Sequence, residues 1–269
     1  MSETVRRWTE SSLESTIDWC RFRHSQRIHC TIAFLEGPPQ TDEQASQVMK
    51  SYLDSIKALN KQKLDASITV KPTTLGAFSD KARCTEHILT IFREAMIHNV
   101  GFEIATETKD LVEYAVETAV TCAKERQHVT LALQAYLDRT PEDLKMVLNS
   151  GIKPRLVKGA YLGDTGDLAE IQRRFRRLVE MVLENKHPLL VGTHDPELIQ
   201  WLRQRIDSNK QLIEFSFLKG LADDTKVSFA QQGWNVLEYI PFGKNVEAYE
   251  SRRWRFLREL ERLGRAPVP

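Results

Sequence analysis

Short apolar runs alternate along this chain with longer stretches in which apolar positions recur at helical spacing. The runs occupy 30–34, 67–71, 101–106, 129–136, 155–159, 188–193, 212–218 and 236–242. They are brief, rich in Val, Ile, Leu and Thr, and mostly apolar on both faces, which is how parallel strands covered on both sides read. Between them, residues 42–59 repeat Val48, Met49, Tyr52, Leu53, Ile56 and Leu59 on one helical face, with Asp42 as the predicted N-cap. Comparable helices are predicted over 80–98, 109–126, 141–149, 168–185, 195–206, 223–231 and 244–263, with Asp80, Thr140-Pro141 and Asp195-Pro196 as start signals. Eight strands alternating with eight helices predict an α/β fold, a (βα)8 TIM-type barrel. A doubly wound open sheet is the rival, but no strand runs into a GxGxxG loop. Residues 1–29 stand outside the repeat and are predicted as an N-terminal helical extension of one domain spanning 1–269. Their Arg21, Arg23 and Arg27 read as a solvated face.

Composition narrows the function classes. The 269 residues carry 38 Lys+Arg against 37 Asp+Glu, a net charge of +1, which argues against a nucleic-acid partner. With 41% hydrophobic and 28% charged residues the chain builds a core rather than staying disordered. No uncharged apolar stretch approaches the ~18 residues that suggest a membrane span. The opening MSETVRRWTE has no apolar core of a signal peptide. Cys20, Cys30, Cys84 and Cys122 form no CxxC pair, so they read as reduced thiols of a cytoplasmic protein and supply no metal site.

Barrels gather their chemistry at the C-terminal ends of the strands. The polar candidates there are Lys71, Thr106-Glu107, Gln134, Tyr136, Arg155, Lys158, Tyr161, Thr193-His194-Asp195, Ser216, Lys219 and Tyr239. Arg155 and Lys158 in one short apolar strand need a reason. One is an anionic ligand; the other is an ion pair with a neighbouring strand's Glu. His194, with no other ligand at metal spacing, reads as a hydrogen-bonded structural residue. In the final helix Tyr249 precedes Arg252 and Arg253 by three and four residues, so a ring and two guanidiniums share a face. Paired arginines fork a carboxylate bidentately. The alternative is an ordinary arginine-rich surface helix.

In combination these segments say more. RLVKGAY at 155–161, GTHD at 192–195, EFSFLKG at 214–220, and YIPFG followed by YESRR over 239–253 resemble, in this order, the proline dehydrogenase family. CTIAFLEGPPQTDEQA and SITVK are similar to its first two strands, so the likeness runs from about 28 to 263. The resemblance implies an FAD-dependent barrel that oxidises L-proline to Δ1-pyrroline-5-carboxylate by hydride transfer, with a quinone taking the electrons on. It implies that Lys71, Arg252 and Arg253 hold the substrate carboxylate and that Tyr161, Leu218, Tyr239 and Tyr249 wall the ring. It also implies that Gln134, Arg155, Lys158, Gly159, Ala160, Thr193, His194 and Ser216 contact FAD, and that the final helix lies across the barrel mouth.

Three departures from the family pattern carry expectations of their own. Ala105-Thr106-Glu107 stands where the family has Asp-Ala-Glu, which removes an active-site carboxylate. Ser216 stands where a flavin-contacting Gln is usual. Asp164 and Asp167 replace basic residues, so FAD is expected to bind more weakly than in the family. The alternatives are an oxidase of another proline-like cyclic amino acid and a non-redox barrel binding a small carboxylate. Peripheral membrane contact is expected from the final helix, where Arg252, Arg253, Arg255, Arg258, Arg262 and Arg265 accompany Trp254, Phe256, Leu257 and Leu260.

Overall fold

The structure is a computed structural model and describes residues 7–262, except 127, 162, 207–209 and the side chains of 259, 260 and 262. Eight parallel strands close in chain order: β1 (His29–Leu35), β2 (Ala66–Val70), β3 (Gly101–Ile104), β4 (Val129–Gln134), β5 (Lys153–Val157), β6 (Leu189–Gly192), β7 (Ile213–Leu218) and β8 (Asn235–Gly243). β8 seals the ring by pairing with β1, from His29 opposite Leu237 to Leu35 opposite Gly243. Closure leaves no unpaired sheet edge. A helix precedes the barrel, α1 (Leu13–Ser25), and the others follow the strands in turn. They are α2 (Asp42–Lys61), α3 (Lys81–Ile97), α4 (Val112–Glu125), α5 (Thr140–Asn149), α6 (Leu168–Glu184), α7 (Pro196–Ile206), α8 (Asp223–Gln231) and α9 (Glu247–Arg262).

Alternation along each strand sends one set of side chains into the barrel and the other against the helices. Ile68, Ile104, Leu131, Leu156, Val191 and Phe215 thereby join Ile56, Ile88, Val116, Val147, Val179 and Leu202 in one buried layer. Burying each such side chain contributes ~1.5–3 kcal/mol. Polar residues start the helices. Asp80 accepts the Arg83 N–H at 3.0 Å, and Asp195 accepts the N–H groups of Glu197 and Leu198. α2 differs from expectation: Thr41 is its cap and Asp42 sits in the first turn, where it pairs with Arg83. Residues 109–111 form a 3-10 turn before α4.

Several predicted strands end sooner than the apolar runs do. Lys71, Thr106, Tyr136 and Gly159 lie just beyond them, where the chain leaves the sheet to build the mouth. The N-terminal extension contains α1, but residues 7–10 are not helical; Glu10 forms a parallel bridge with Phe242 of β8.

Arg23 is a correction. It is 3% exposed, not solvated, because α1 lays it against β8. There it pairs with Glu238 and Asp223. Lys226 of α8 reaches the other oxygen of the same Glu238 at 2.6 Å, and Trp19 donates to Glu238 at 3.1 Å. Arg21 and Arg27 are exposed as expected. Asp223 also reaches Lys226, at 3.1 Å, so two carboxylates serve two buried cations. Removing Glu238 leaves both to the half-exposed Asp223, and breaking buried pairs in this way costs on the order of 3–5 kcal/mol. Glu238→Ala is therefore expected to lose that much unfolding free energy in urea titrations, well beyond a typical surface substitution.

Candidate active site

The strands' C-terminal ends and α9 enclose a cavity of about 410 Å³. Small-molecule sites span ~300–1,000 Å³. Every site residue expected from the sequence lines it: Lys71, Gln134, Arg155, Lys158, Gly159, Ala160, Tyr161, Thr193, His194, Ser216, Leu218, Tyr239, Tyr249, Arg252 and Arg253.

Its cations are of two kinds. Those of β5 and its exit are paired. Arg155 places Nε and Nη2 on Glu103 Oε1 at 2.8 and 2.6 Å. Because β3 and β5 are not neighbours, both side chains must point into the barrel. Burial works against the Arg155 charge, and Glu103 outweighs it, so its pKa is raised. Lys158 pairs with the buried Asp195 at 3.1 Å. Burial alone would raise the Asp195 carboxyl; Lys158 and a hydrogen bond from Gln172 bring it below its ordinary value. Both cations are ion-paired, though neither with a neighbouring strand's Glu as expected: Glu103 stands on the non-adjacent β3 and the partner of Lys158 is an Asp; both cations also face the cavity.

Lys71, Arg252 and Arg253 differ. Among the described residues no carboxylate lies within ion-pair reach of them. Lys71 is 7% exposed, at the exit of β2. Arg252 lies over the Tyr161 ring at 5.1 Å and Arg253 over the Tyr249 ring at 5.0 Å, so aromatic faces stand in for counter-charges. Arg253 Nε and the Tyr249 hydroxyl are both buried without a hydrogen-bond partner. Such groups cost free energy unless a ligand completes them.

The wall residues have shifted acidities with clear causes. Burial, then the Glu107 carboxylate, pushes the Tyr161 hydroxyl up to about 12. Burial raises Tyr239 and Tyr249 as well. Tyr161 donates to Glu107 at 3.3 Å, and Thr73 donates to the same carboxylate. Glu107, a strand-end candidate to which the family resemblance assigns no role, gives the cavity a carboxylate although Ala105 does not. Glu103, Gln172, Arg255 and Phe256 were missed. Two signals point to some of them: the helical spacing from Arg252 to Phe256, and the need of a buried Arg155 for a carboxylate, which Glu103 meets.

Local backbone places the β5 exit. Gly159 has φ +139°, and a Cβ there would fall 1.4 Å from the Tyr136 ring, so only glycine fits. Tyr136 accepts the Tyr161 N–H at 3.1 Å and donates to Gln134 at 2.7 Å. Gln134 in turn donates to the Glu107 carbonyl at 3.2 Å.

Asp164 and Asp167 do not line the cavity. Asp164 accepts the Asp138 N–H and pairs with Lys109 at 3.1 Å, which lowers its pKa; Asp167 caps α6. Both carboxylates are thus engaged by groups outside the cavity lining. On α9, Phe256 packs beside His194 and Leu257 leans on a buried cluster, while Trp254 meets the Trp8 ring edge-on at 4.7 Å and stays half exposed. The side chains of Leu260 and Arg262, and Arg265 altogether, lie outside the described residues.

The proline dehydrogenase family model matches residues 18–254. This chain belongs to the proline dehydrogenase family. It is an FAD-dependent oxidoreductase by that membership. It is 25% identical over 250 residues to proline dehydrogenase 2 of Bacillus subtilis (strain 168), covering 90% of this chain and 82% of that one. To the proline dehydrogenase of Deinococcus radiodurans it is 28% identical over 233 residues, covering 82% and 74%. Among solved structures, proline utilization A from Bdellovibrio bacteriovorus, inactivated by N-propargylglycine, superposes with a TM-score of 0.83 at 19% identity. That match covers 92% of this chain but 32% of the other, and it concerns the fold alone.

The residues present fit the family's cofactor. With Nε and Nη2 of Arg155 on Glu103, Nη1 has no acceptor among the described residues. Gly192 lies beside that nitrogen, where a Cβ would fall 2.8 Å from Val157 Cγ1 and 3.5 Å from Arg155 Nη1. Lys158 and Arg255 supply positive charge, and Val157, Ile171 and Phe256 supply apolar surface.

His194 ties this side of the cavity to β7, accepting the Leu218 N–H at Nε2 (3.1 Å), which puts its own proton on Nδ1. Burial, then the charges of Lys226, Arg253 and Lys158, lowers its pKa to about 3. The folded protein therefore holds the ring neutral, while the unfolded chain protonates it below the ordinary value of 6.5. Its contribution to stability is full above that pH and is lost as the pH falls toward 3. Denaturant midpoints at pH 7 and pH 5 should fall further in wild type than in His194→Gln. Equal falls would mean that the ring is not held neutral.

Proposed function

We propose that this chain oxidises L-proline to Δ1-pyrroline-5-carboxylate with Lys71, Arg252 and Arg253 as the carboxylate clamp. The observation that carries this reading is three cations lining one cavity with no carboxylate of their own. Proline offers one anionic group and a small apolar ring. The clamp answers the first; Leu218, Tyr239, Tyr249 and Tyr161 answer the second. Charge-assisted bonds fix one end of the substrate, and the walls leave the ring a single way to lie. Tyr239 closes the floor with its face toward the Arg155 guanidinium at 5.9 Å.

Gln134, Arg155, Lys158, Gly159, Ala160, Thr193, His194 and Ser216 would hold FAD. Bound there, FAD supplies the two-electron acceptor for the C5–N oxidation. Arg155, locked by Glu103, keeps fixed positive charge in the cavity and needs no rearrangement during reaction. α9 keeps water from the ring, which preserves the strength of these interactions. A quinone reoxidising the cofactor is part of the proposal and rests on the family likeness. The free, buried cysteines suit action in the cytoplasm.

Two measurements test this. Purified holoenzyme should bleach anaerobically on addition of L-proline; an unchanged flavin spectrum would overturn the activity. The clamp is tested by substitution. Charge-assisted hydrogen bonds contribute ~1.5–3 kcal/mol each, a ~10- to 150-fold effect. Arg253→Met is therefore expected to raise KM for proline at least ~10-fold without altering the flavin spectrum, and Arg252→Met likewise. The double variant should lose the preference for proline over pyrrolidine, which lacks the carboxylate. Equal KM values in wild type and Arg253→Met would remove the arginines from the site.

A further inference from the structure

Residues 7–10 lie outside the segment matched by the family model, yet they touch the clamp helix and the ring walls. Trp8 is 3% exposed and packs in a cluster with Ala33, Leu35, Tyr239, Val246 and Tyr249, against which Leu218 and Leu257 lean. Tyr239, Tyr249 and Leu218 are the proposed ring walls. Trp8 therefore backs them from the side away from the substrate, while its ring meets Trp254 of α9 edge-on. Its indole N–H has no acceptor, so packing alone holds it. The next residue, Thr9, is fully buried and donates to Glu250 of α9 at 3.3 Å.

Both sides of this pair are anchored to the barrel. Glu10 N–H donates to the Pro241 carbonyl at 2.9 Å and its carboxylate pairs with Lys219 at 3.2 Å. Arg7 Nε donates to the Gly220 carbonyl at 3.1 Å, and Lys219 Nζ donates to the Arg7 carbonyl at 3.3 Å. The approach is close enough that a Cβ at Gly220 would sit 2.3 Å from the Arg7 carbonyl oxygen. That glycine, with φ +73°, leaves the passage open for the segment.

We propose that Trp8 and Thr9 form a strap of positioning residues that holds α9 over the mouth and so sets the carboxylate clamp. The proposal rests on the reading of Arg252 and Arg253 as that clamp. The strap attaches α9 at Glu250 and Trp254, which flank Arg252 and Arg253 within three residues on either side. Displacing a binding group by ~1 Å can cost as much as 10²-fold in rate.

The test uses the holoenzyme and tetrahydrofuran-2-carboxylate, a ring carboxylate that does not turn over, titrated by calorimetry. Hydrogen exchange across α9 and the inhibition constant of pyrrolidine are measured in parallel. Trp8→Ala is expected to weaken the carboxylate ligand ~10-fold and speed exchange in α9, with pyrrolidine binding and the flavin spectrum little changed. Trp8→Phe should restore most of the affinity. Thr9→Val, which keeps the volume and removes the bond to Glu250, should give a smaller loss in the same direction, and it carries the test if Trp8→Ala does not fold. Unchanged affinity and unchanged α9 exchange would overturn the strap, as would equal losses for tetrahydrofuran-2-carboxylate and pyrrolidine. If wild type itself does not bind the carboxylate, the clamp reading falls instead, and exchange in α9 still decides whether the strap holds the helix.

Discussion

Positive charge held in a sheltered cavity without a negative partner is the constraint around which this molecule is arranged. Taking a cation out of water without a counter-charge is costly, and a fold tolerates it only where surrounding structure enforces it. Lys71 stands at the end of a buried strand, and the two arginines stand on a helix laid over the mouth. Tyr161 and Tyr249 put ring faces under the guanidiniums. These contacts offset part of the cost while leaving the charge free for a ligand's carboxylate.

The other buried charges follow the opposite rule. Arg155 has Glu103, Lys158 has Asp195, and Arg23 and Lys226 share Glu238. The contrast is chemical rather than incidental. A cation that must stay fixed beside a cofactor is best locked by a carboxylate, because a locked group need not reorganise. A cation that must grip a substrate carboxylate cannot already hold one. On the proposed function, pairing sorts the cavity into a preorganised half around β5 and β6 and a receptive half around β2 and α9.

The barrel makes that division possible. Closing the sheet aims side chains from non-adjacent strands at one interior, so Glu103 of β3 meets Arg155 of β5 although their backbones never pair. The helix layer buries the apolar faces and leaves the mouth loops to carry the polar groups. Much of the chain's hydrophobic pattern therefore serves the frame, and the chemistry occupies the residues just past the strand ends.

The periodicity determined by itself the eight strands and the helices between them, and the order of short motifs carried the family resemblance that implied the residues lining the cavity. Local rules suffice there: alternation of period two or 3.6, a polar residue at a helix start, and motifs whose spacing survives folding. What they could not decide was partnership. Nothing in the pattern separates Arg23, buried on Glu238, from Arg21 on the surface two residues earlier. Nothing ties Asp164 to Lys109 rather than to a phosphate, or puts Phe256 and Leu257 inward. Nor does Trp8 announce a place behind Tyr239 and Tyr249. Each of these contacts joins residues far apart in the chain, or depends on which way a helix faces once docked. Such pairings exist only after the barrel has closed, so the tertiary structure alone decided them.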